Sequence, residues 1–549
     1  MTKSNGSMTK VEKLKIINYK CFRDFEIEFN EGVNIIVGNN EQGKSTILEA
    51  LQLALSGMLN GRTLFTDINE SLFNREAVTE YLESLKTTDK KSLPTILIEV
   101  YLKSDELPGF EGDGNSERTG HCGLWYKVSF NDQYQSEYSA LLQSGEVKSI
   151  PVEYYKIERY SFAREAVTNR SIPLKSVLID STSNRFQNGS DVYISKIIRD
   201  NLDDKEIAAL AQSYRKLKES FGDDESIVAI NKKVSENAGI SSKKVSVSVD
   251  MSVKNSWDTV LMTFIDDVPF HQIGKGEQCV IKTNLALAHK KAQTSNLILI
   301  EEPENHLSHT MLNELLNKIN ETCADKQLII TTHSNFVANK LNLKNMILLS
   351  HQKTTRFNEL SEDDAEYFEK LPGYDTLRLV LAKSAILVEG PSDELIVQRA
   401  YKDEYGKLPI ENGVDVISVR GLSFKRFLDI AKKLDKKVAV VTDNDGKYET
   451  RIRKKYKDYE SIACIKICAS DNNDLKTLEP QFVNANKENL DDIRETIGIK
   501  LEDYPLQKNI SDYMEDNKTD WALKVFNSTK QFCYPDYITE AIDWVHEGE

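Results

Sequence analysis

Residues 33–55 read VNIIVGNNEQGKSTILEALQLAL. Val33 to Val37 is an apolar run of strand length. It leads into Gly38-Asn39-Asn40-Glu41-Gln42-Gly43-Lys44-Ser45, and then Ile47, Leu48, Leu51 and Leu55 recur at helical steps on one face. This is GxxxxGK[ST] in the strand–loop–helix setting that gives the motif meaning. Glycines let the backbone curl so that its N–H groups converge on phosphate oxygens. The following helix adds a partial positive charge at its N-terminus. Lys44 has the reach for β and γ phosphates, and the Ser45 hydroxyl, followed by Thr46, suits Mg²⁺. The whole loop, Gly38, Asn39, Asn40, Glu41, Gln42, Gly43, Lys44, Ser45 and Thr46, is therefore expected to bind ATP with Mg²⁺.

The chain around it has 549 residues, room for roughly two to four domains. Hydrophobic residues make up 40% and charged residues 29%, as in ordinary globular proteins. No apolar run is long enough for a membrane span, and MTKSNGSMTK lacks the apolar core of a signal sequence, so a cytoplasmic location is expected. Met8 is a second plausible start, which makes residues 1–7 a tail. The seven cysteines are scattered, with no histidine cluster to complete a zinc pattern, and read as reduced thiols. A net charge of −15 argues against a surface that coats DNA generally, but not against local basic patches beside acidic metal sites.

Upstream, VEKLKIINYKCFRDFEIEFN (residues 11–30) alternates in two strand-like runs. Such a start before a phosphate loop resembles the recombination-type ABC ATPases, the RecF and SMC group. The resemblance implies a weak adenine-side role for Arg23; no Q-loop glutamine can be placed in the strands and polar loops of residues 60–165. Residues 195–245 are charged and helical, and they interrupt the ATPase pattern as an insertion suited to pairing two subunits. VSVSVDMSVK (residues 245–254) reads as strand-like. Gly274-Lys275-Gly276-Glu277-Gln278, opening a helix over 279–292, resembles a degenerate ABC signature loop. In that family the loop contacts the γ-phosphate held by a second subunit, so Gly276 implies a dimer of heads. NLILIEEPENHL (296–307) is a buried strand ending in acids at a sheet's carboxyl edge. There Glu301 is expected to hold Mg²⁺, although the family more often has aspartate, and Glu302 to position the attacking water. QLIITTHS (327–334) ends in His333, which matches the switch histidine that senses the γ-phosphate.

After a polar linker, 351–369, a second pattern begins. SAILVEGPSD (384–393) delivers Glu389 and Asp393 at a strand end, and KVAVVTDNDG (437–446) delivers Asp443 and Asp445. Carboxylates two apart in a turn can face one cation, and a set without histidine or cysteine favours Mg²⁺ or Mn²⁺. Arg420 to Phe427, and the run Arg451, Arg453, Lys454, Lys455 and Lys457, supply basic side chains that read equally as solvated faces or as phosphate contacts.

Glu…Asp-x-Asp on valine-rich strands resembles the Toprim fold. An ABC-type head followed by Toprim resembles the OLD (overcoming lysogenization defect) nucleases, over nearly the whole chain. That resemblance implies a late metal ligand, Glu479 in TLEP, and a catalytic Lys518 in NKTDWA. The expected fold is α/β: ATPase over 1–170 and 251–375, a helical dimerisation insertion over 171–250, and Toprim with a parallel sheet over 380–549.

The expected function is an ATP-regulated, divalent-metal-dependent DNA endonuclease in antiphage defence. Glu389, Asp443, Asp445 and Lys518 would carry the cutting; Glu389, Asp393, Asp443, Asp445 and Glu479 would hold Mg²⁺ or Mn²⁺. Expected partners are DNA, further copies of the chain, and a defence-system protein or retron nucleic acid. The alternative is an ATPase-switched DNA-binding sensor with Toprim as scaffold. A topoisomerase would need a tyrosine nucleophile on a separate domain, and a primase a zinc module; neither is apparent.

Overall fold

The computed structural model describes residues 9–59, 62–64, 68–104, 107–145, 147–180, 186–187, 190–237, 245–249, 257, 262–350, 352–357, 376–419 and 424–546. Residues 1–7, the linker from 358 onward, Arg420–Ser423 and the end of the valine-rich segment at 250–254 lie outside the described residues. The chain divides into two compact units, one of Met1–His333 with Leu349–Thr354, the other of Ser334–Leu348 with Thr355–Glu549.

Among the described residues the first unit is built on two larger sheets, beside short two-stranded ones. One is antiparallel: β1 (Lys10–Tyr19) and β2 (Phe22–Glu28) pair with each other. Its other main strands are 96–103, 121–130 and 155–161. Alternation of buried Leu14 and Ile16 with lysines gives β1 one wet and one dry face. The second sheet is parallel at its centre. β3 (Val33–Gly38), β4 (Ser176–Asp180), β5 (Leu297–Glu301) and β6 (Gln327–Thr332) run in the order β4–β5–β6–β3. Leu297 to Ile300 are all 0% exposed, as a strand covered on both faces requires. The Gln327 side chain spans both sheets. It accepts from the Val11 N–H at 2.8 Å and donates to the Val11 and Asn30 carbonyls at 2.7 and 2.8 Å.

β4 falls inside the range expected to be a helical insertion. Its Val-Leu-Ile core pairs in register with Ile298 to Ile300, so packing on the sheet decides its state. α1 is the phosphate-loop helix (Lys44–Ser56), and the charged helices α2 (Asp204–Gly222) and α3 (Glu225–Asn237) lie in the stretch expected to be the insertion. Asp203 and Glu206 start α2 with a reciprocal capping box. Leu217 and Phe221 on α2, and Val228 and Ile230 on α3, remain exposed. Residues 245–249, the described part of the segment expected as strand over 245–254, are not paired in a sheet among the described residues. Instead Asn231 of α3 accepts from the Val247 N–H at 2.6 Å and donates to its carbonyl at 3.0 Å. Other differences are local. Arg75–Ser84, within the stretch read as strands and loops, is a helix capped by Asn74. The helix expected over 279–292 begins at Lys275, capped by Gly274, and stops at Ala288 because His289 turns extended.

The second unit is built on a four-stranded parallel sheet. β7 (Ser384–Val388), β8 (Val414–Ser418), β9 (Lys437–Val441) and β10 (Ile465–Cys468) run in the order β8–β7–β9–β10. Val388 aligns with Ser418 and with Val441, and Val441 with Cys468. This register brings all four strand ends to one edge. Helices α4 (Pro391–Tyr405), α5 (Leu478–Ala485), α6 (Lys518–Asn527) and α7 (Asp536–His546) cover the sheet with one apolar core that includes Trp521, Phe482 and Ile538.

Candidate functional site

At the end of β3 the chain makes the turn that the motif requires. Gly43, which caps α1, sits at φ 96°, and a Cβ there would lie 2.6 Å from both the Cys21 sulfur and the Phe22 ring. Only glycine fits. Asn39, Asn40 and Glu41 are exposed and Glu41 too has a positive φ, 65°. Lys44 is buried, donating to the Gly38 and Asn39 carbonyls at 2.9 and 3.1 Å. Burial pulls its ammonium below the usual lysine range, while Glu302, Glu304 and Glu301 hold it up. Thr46 is buried beside Cys21, whose thiol lies 3.7 Å from its hydroxyl.

The acids at the end of β5 face this loop. Burial pushes the Glu301 carboxyl up; a hydrogen bond with Ser45 opposes this, and Asp180, Glu49 and Glu302 add to it. Ser45 and Glu301, the expected Mg²⁺ pair, are therefore in contact. Glu302 sits at φ 38°, a strained value for a side-chain-bearing residue. Its two oxygens are held by Asn305, at 2.8 Å, and by His333 Nε2, at 3.2 Å. Burial and then Lys44 lower the His333 imidazole, with Glu302 and Glu304 opposing. Glu304 was not singled out from sequence. It accepts from the Thr332 hydroxyl at 2.6 Å and the His333 N–H at 2.8 Å, so it fixes the histidine's backbone. Gly276 packs under the same loop, where a Cβ would lie 2.5 Å from the His306 carbonyl. Arg23 is bonded to Asn18 and Glu80 instead of standing free for a base.

In the second unit the strand-end acids converge. Glu389 follows β7 and accepts from the Thr442 hydroxyl and, at 3.1 Å, from the Asp443 N–H. Asp393, in the first turn of α4, accepts from the Gly390 N–H at 3.1 Å. Burial, then Glu389 and Glu479, push Asp393 up to about 7. Burial, then Asp393, Glu389, Glu479 and Asp445, push Asp443 up to about 9. One Asp443 oxygen is buried with no hydrogen-bond partner. Glu479 is 5% exposed on α5. Asp445 is exposed, at φ 47°, with Arg451 at 3.5 Å. Between the two aspartates, Asn444 is fully buried. It donates to the Ser470 and Asn472 carbonyls, both at 2.8 Å, and accepts from the Gly446 N–H at 2.7 Å, which locks the turn.

The protein-family model described as "AAA ATPase domain" matches residues 9–338. A second, "Overcoming lysogenization defect protein-like, TOPRIM domain", matches residues 380–445. The chain belongs to the AAA ATPase domain family and is an OLD-type ATPase–Toprim fusion. Among curated proteins, the "DNA double-strand break repair Rad50 ATPase" of Methanopyrus kandleri is 51% identical over 45 residues, 8% of this chain and 5% of that protein. The "DNA replication and repair protein RecF" of Alkaliphilus oremlandii is 30% identical over 95 residues, 17% of this chain and 24% of that protein. The chain thus spans under a quarter of the length of either relative. Among solved structures, the C-terminal region of the Burkholderia pseudomallei OLD protein is 17% identical with a TM-score of 0.24, covering 30% of this chain and 98% of that one.

Not every residue expected in the OLD-type Toprim site is part of this gathering. Lys518 is exposed at the start of α6, and no hydrogen bond or ion pair joins it to the carboxylates among the described residues. Burial on α6 begins only a turn later, at Trp521, so its first turn projects into solvent. The basic run supplies the nearby cations instead. Ile452, Tyr456 and Tyr459 bury one face of the π-helical stretch Glu449–Arg453 and its continuation. That leaves Arg451 against Asp445, and Lys455 under the influence of Glu389 and Asp445. Burial lowers the Lys455 ammonium, these acids raise it, and Arg451 and Lys425 lower it further. Arg453 turns away to Glu449.

The donor set of the OLD-type cluster fits a hard divalent cation: oxygen donors only, one of them buried and unpartnered. Among the described residues no three acidic, histidine or cysteine side chains are placed to hold a metal ion together. Glu389 and Asp393 each accept from a backbone N–H, of Asp443 and Gly390. A pH dependence follows. Asp443 and Asp393 hold protons in the folded chain at pH values where the unfolded chain has lost them. Between about pH 4 and pH 9, raising the pH therefore favours unfolding of the metal-free protein. Its melting midpoint in EDTA is expected to fall across that range, and to fall less in Asp443→Asn. Scanning fluorimetry checks both.

Proposed function

We propose that this ATPase–Toprim fusion is a DNA endonuclease that depends on Mg²⁺ or Mn²⁺, is regulated by ATP, and serves in antiphage defence. The observation that carries the reading is the gathering of Glu389, Asp393, Asp443 and Glu479 at the carboxyl edge of one parallel sheet, with Arg451 and Lys455 alongside. Glu389, Asp393, Asp443, Asp445 and Glu479 would hold the cations. When bound, these would activate water and neutralise charge on the cut phosphodiester. Arg451 and Lys455 would hold the adjoining backbone phosphates. Lys518, the cation expected from the family, would have to swing in with substrate to act.

In the ATPase unit, Lys44 would grip the β and γ phosphates, while Ser45 and Glu301 would hold Mg²⁺. Glu302, held by His333 and Asn305, would orient the attacking water. Gly276 would complete the site of a second copy. The exposed apolar residues Leu217, Phe221, Val228 and Ile230 support a pairing role for the α2–α3 arm. No helix among the described residues is long and apolar enough to cross a membrane.

The test is incubation of the purified protein with supercoiled and linear DNA, with Mg²⁺ or Mn²⁺, with and without ATP. Cation-dependent nicking whose rate responds to ATP is expected. The rival reading is an ATP-switched DNA-binding sensor in which Toprim serves as a scaffold. ATP-dependent DNA binding with no cutting under any condition would select it.

A further inference from the structure

The acidic gathering of the second unit has a neighbour that the proposed function does not use. Tyr537 is the second residue of α7, the helix packed on β7, β9 and β10. It is 5% exposed, and its hydroxyl has no hydrogen-bond partner. The charged groups that act on it are Asp443, Asp393, Glu479 and Glu389, in that order. A phenol keeps its proton at neutral pH and, among carboxylates, can only donate. Asp443, the strongest of these influences, likewise has one oxygen that is buried and unpartnered. One cluster thus holds a donor lacking an acceptor and an acceptor lacking a donor. Buried polar groups are nearly always paired, so each of the two calls for an explanation. Phenylalanine would fill the same space at lower cost if the cluster served only to pack α7.

We propose that Tyr537 is a positioning residue for the cation site: its hydroxyl donates to Asp443 when a divalent ion is bound and aims the other Asp443 oxygen at that ion. Ligating carboxylates are themselves commonly held by a hydrogen bond from behind, which fixes their orientation. This inference rests on the cluster being the cation site.

Tyr537→Phe tests it, since it removes one oxygen and keeps the ring. Mn²⁺ binding to the nucleotide-free full chain would be measured by calorimetry, and the melting midpoint in EDTA on the same samples. The expected result is Mn²⁺ affinity weakened about 10- to 100-fold, with an EDTA midpoint equal to or above that of the wild type. Equal Mn²⁺ affinity in the variant would overturn the inference. So would weaker binding accompanied by a lower EDTA midpoint, which marks a purely structural role. Wild-type protein that binds no more Mn²⁺ than Asp443→Ala would overturn the cation site itself and the inference with it.

Discussion

Asp443→Ala is expected to lower cation-dependent nicking at least about 100-fold while ATP turnover stays unchanged. Asp443 stands where the other acids meet: Asp393, Glu389, Glu479 and Asp445 all act on it, and its own N–H anchors Glu389. Removing its carboxyl takes away a ligand and leaves the remaining acids without a common focus. Alanine also relieves repulsion, so the metal-free variant is expected to fold at least as well as the wild type. The ATP-gripping residues belong to the other compact unit, which is why turnover is the proper control. Plasmid nicking and phosphate release on the same preparation check both halves. Nicking that persists with its cation dependence would remove the Toprim acids from the reaction.

The second large effect is expected from Lys44→Ala, which should reduce ATP turnover by about 10²- to 10³-fold. Lys44 is buried, tied to two loop carbonyls, and faced by Glu301, Glu302 and Glu304. Without its ammonium, phosphates would enter a pocket whose nearest side-chain charges are negative. Nucleotide binding should therefore fall along with turnover, as titration with a fluorescent ATP analogue would read. If ATP sets access to the cutting site, nicking by this variant becomes indifferent to ATP. A variant that still responds to ATP would break the proposed coupling.

The phosphate loop and the strand-end acids were legible because their signals are local. A glycine-bounded turn after an apolar strand, or an acid after Ala-Ile-Leu-Val, constrains geometry within a few residues. What escaped depends on distance along the chain. Glu304 matters because it reaches the backbone of His333. Asn444 hides between two aspartates, and its role appears only with the Ser470 and Asn472 carbonyls. Lys455 was one of five similar cations until the burial of Ile452 and Tyr456 sorted the run into faces. Tyr537 carries no motif at all. The described part of the valine-rich segment, 245–249, is bonded to Asn231 of α3, which alternation alone does not signal. Lys518 was placed by family resemblance, and its helix begins in solvent.

The amide of Gln327 ties β1 of the antiparallel sheet to the strand beside the phosphate loop through two short bonds, and a third holds the Asn30 carbonyl between β2 and β3. It works as a weld. Any displacement of β6 relative to β1 would have to break these bonds, so the two strands are held in one register. A substitution such as Gln327→Leu would leave the Val11 and Asn30 backbone groups at this junction without their side-chain partner.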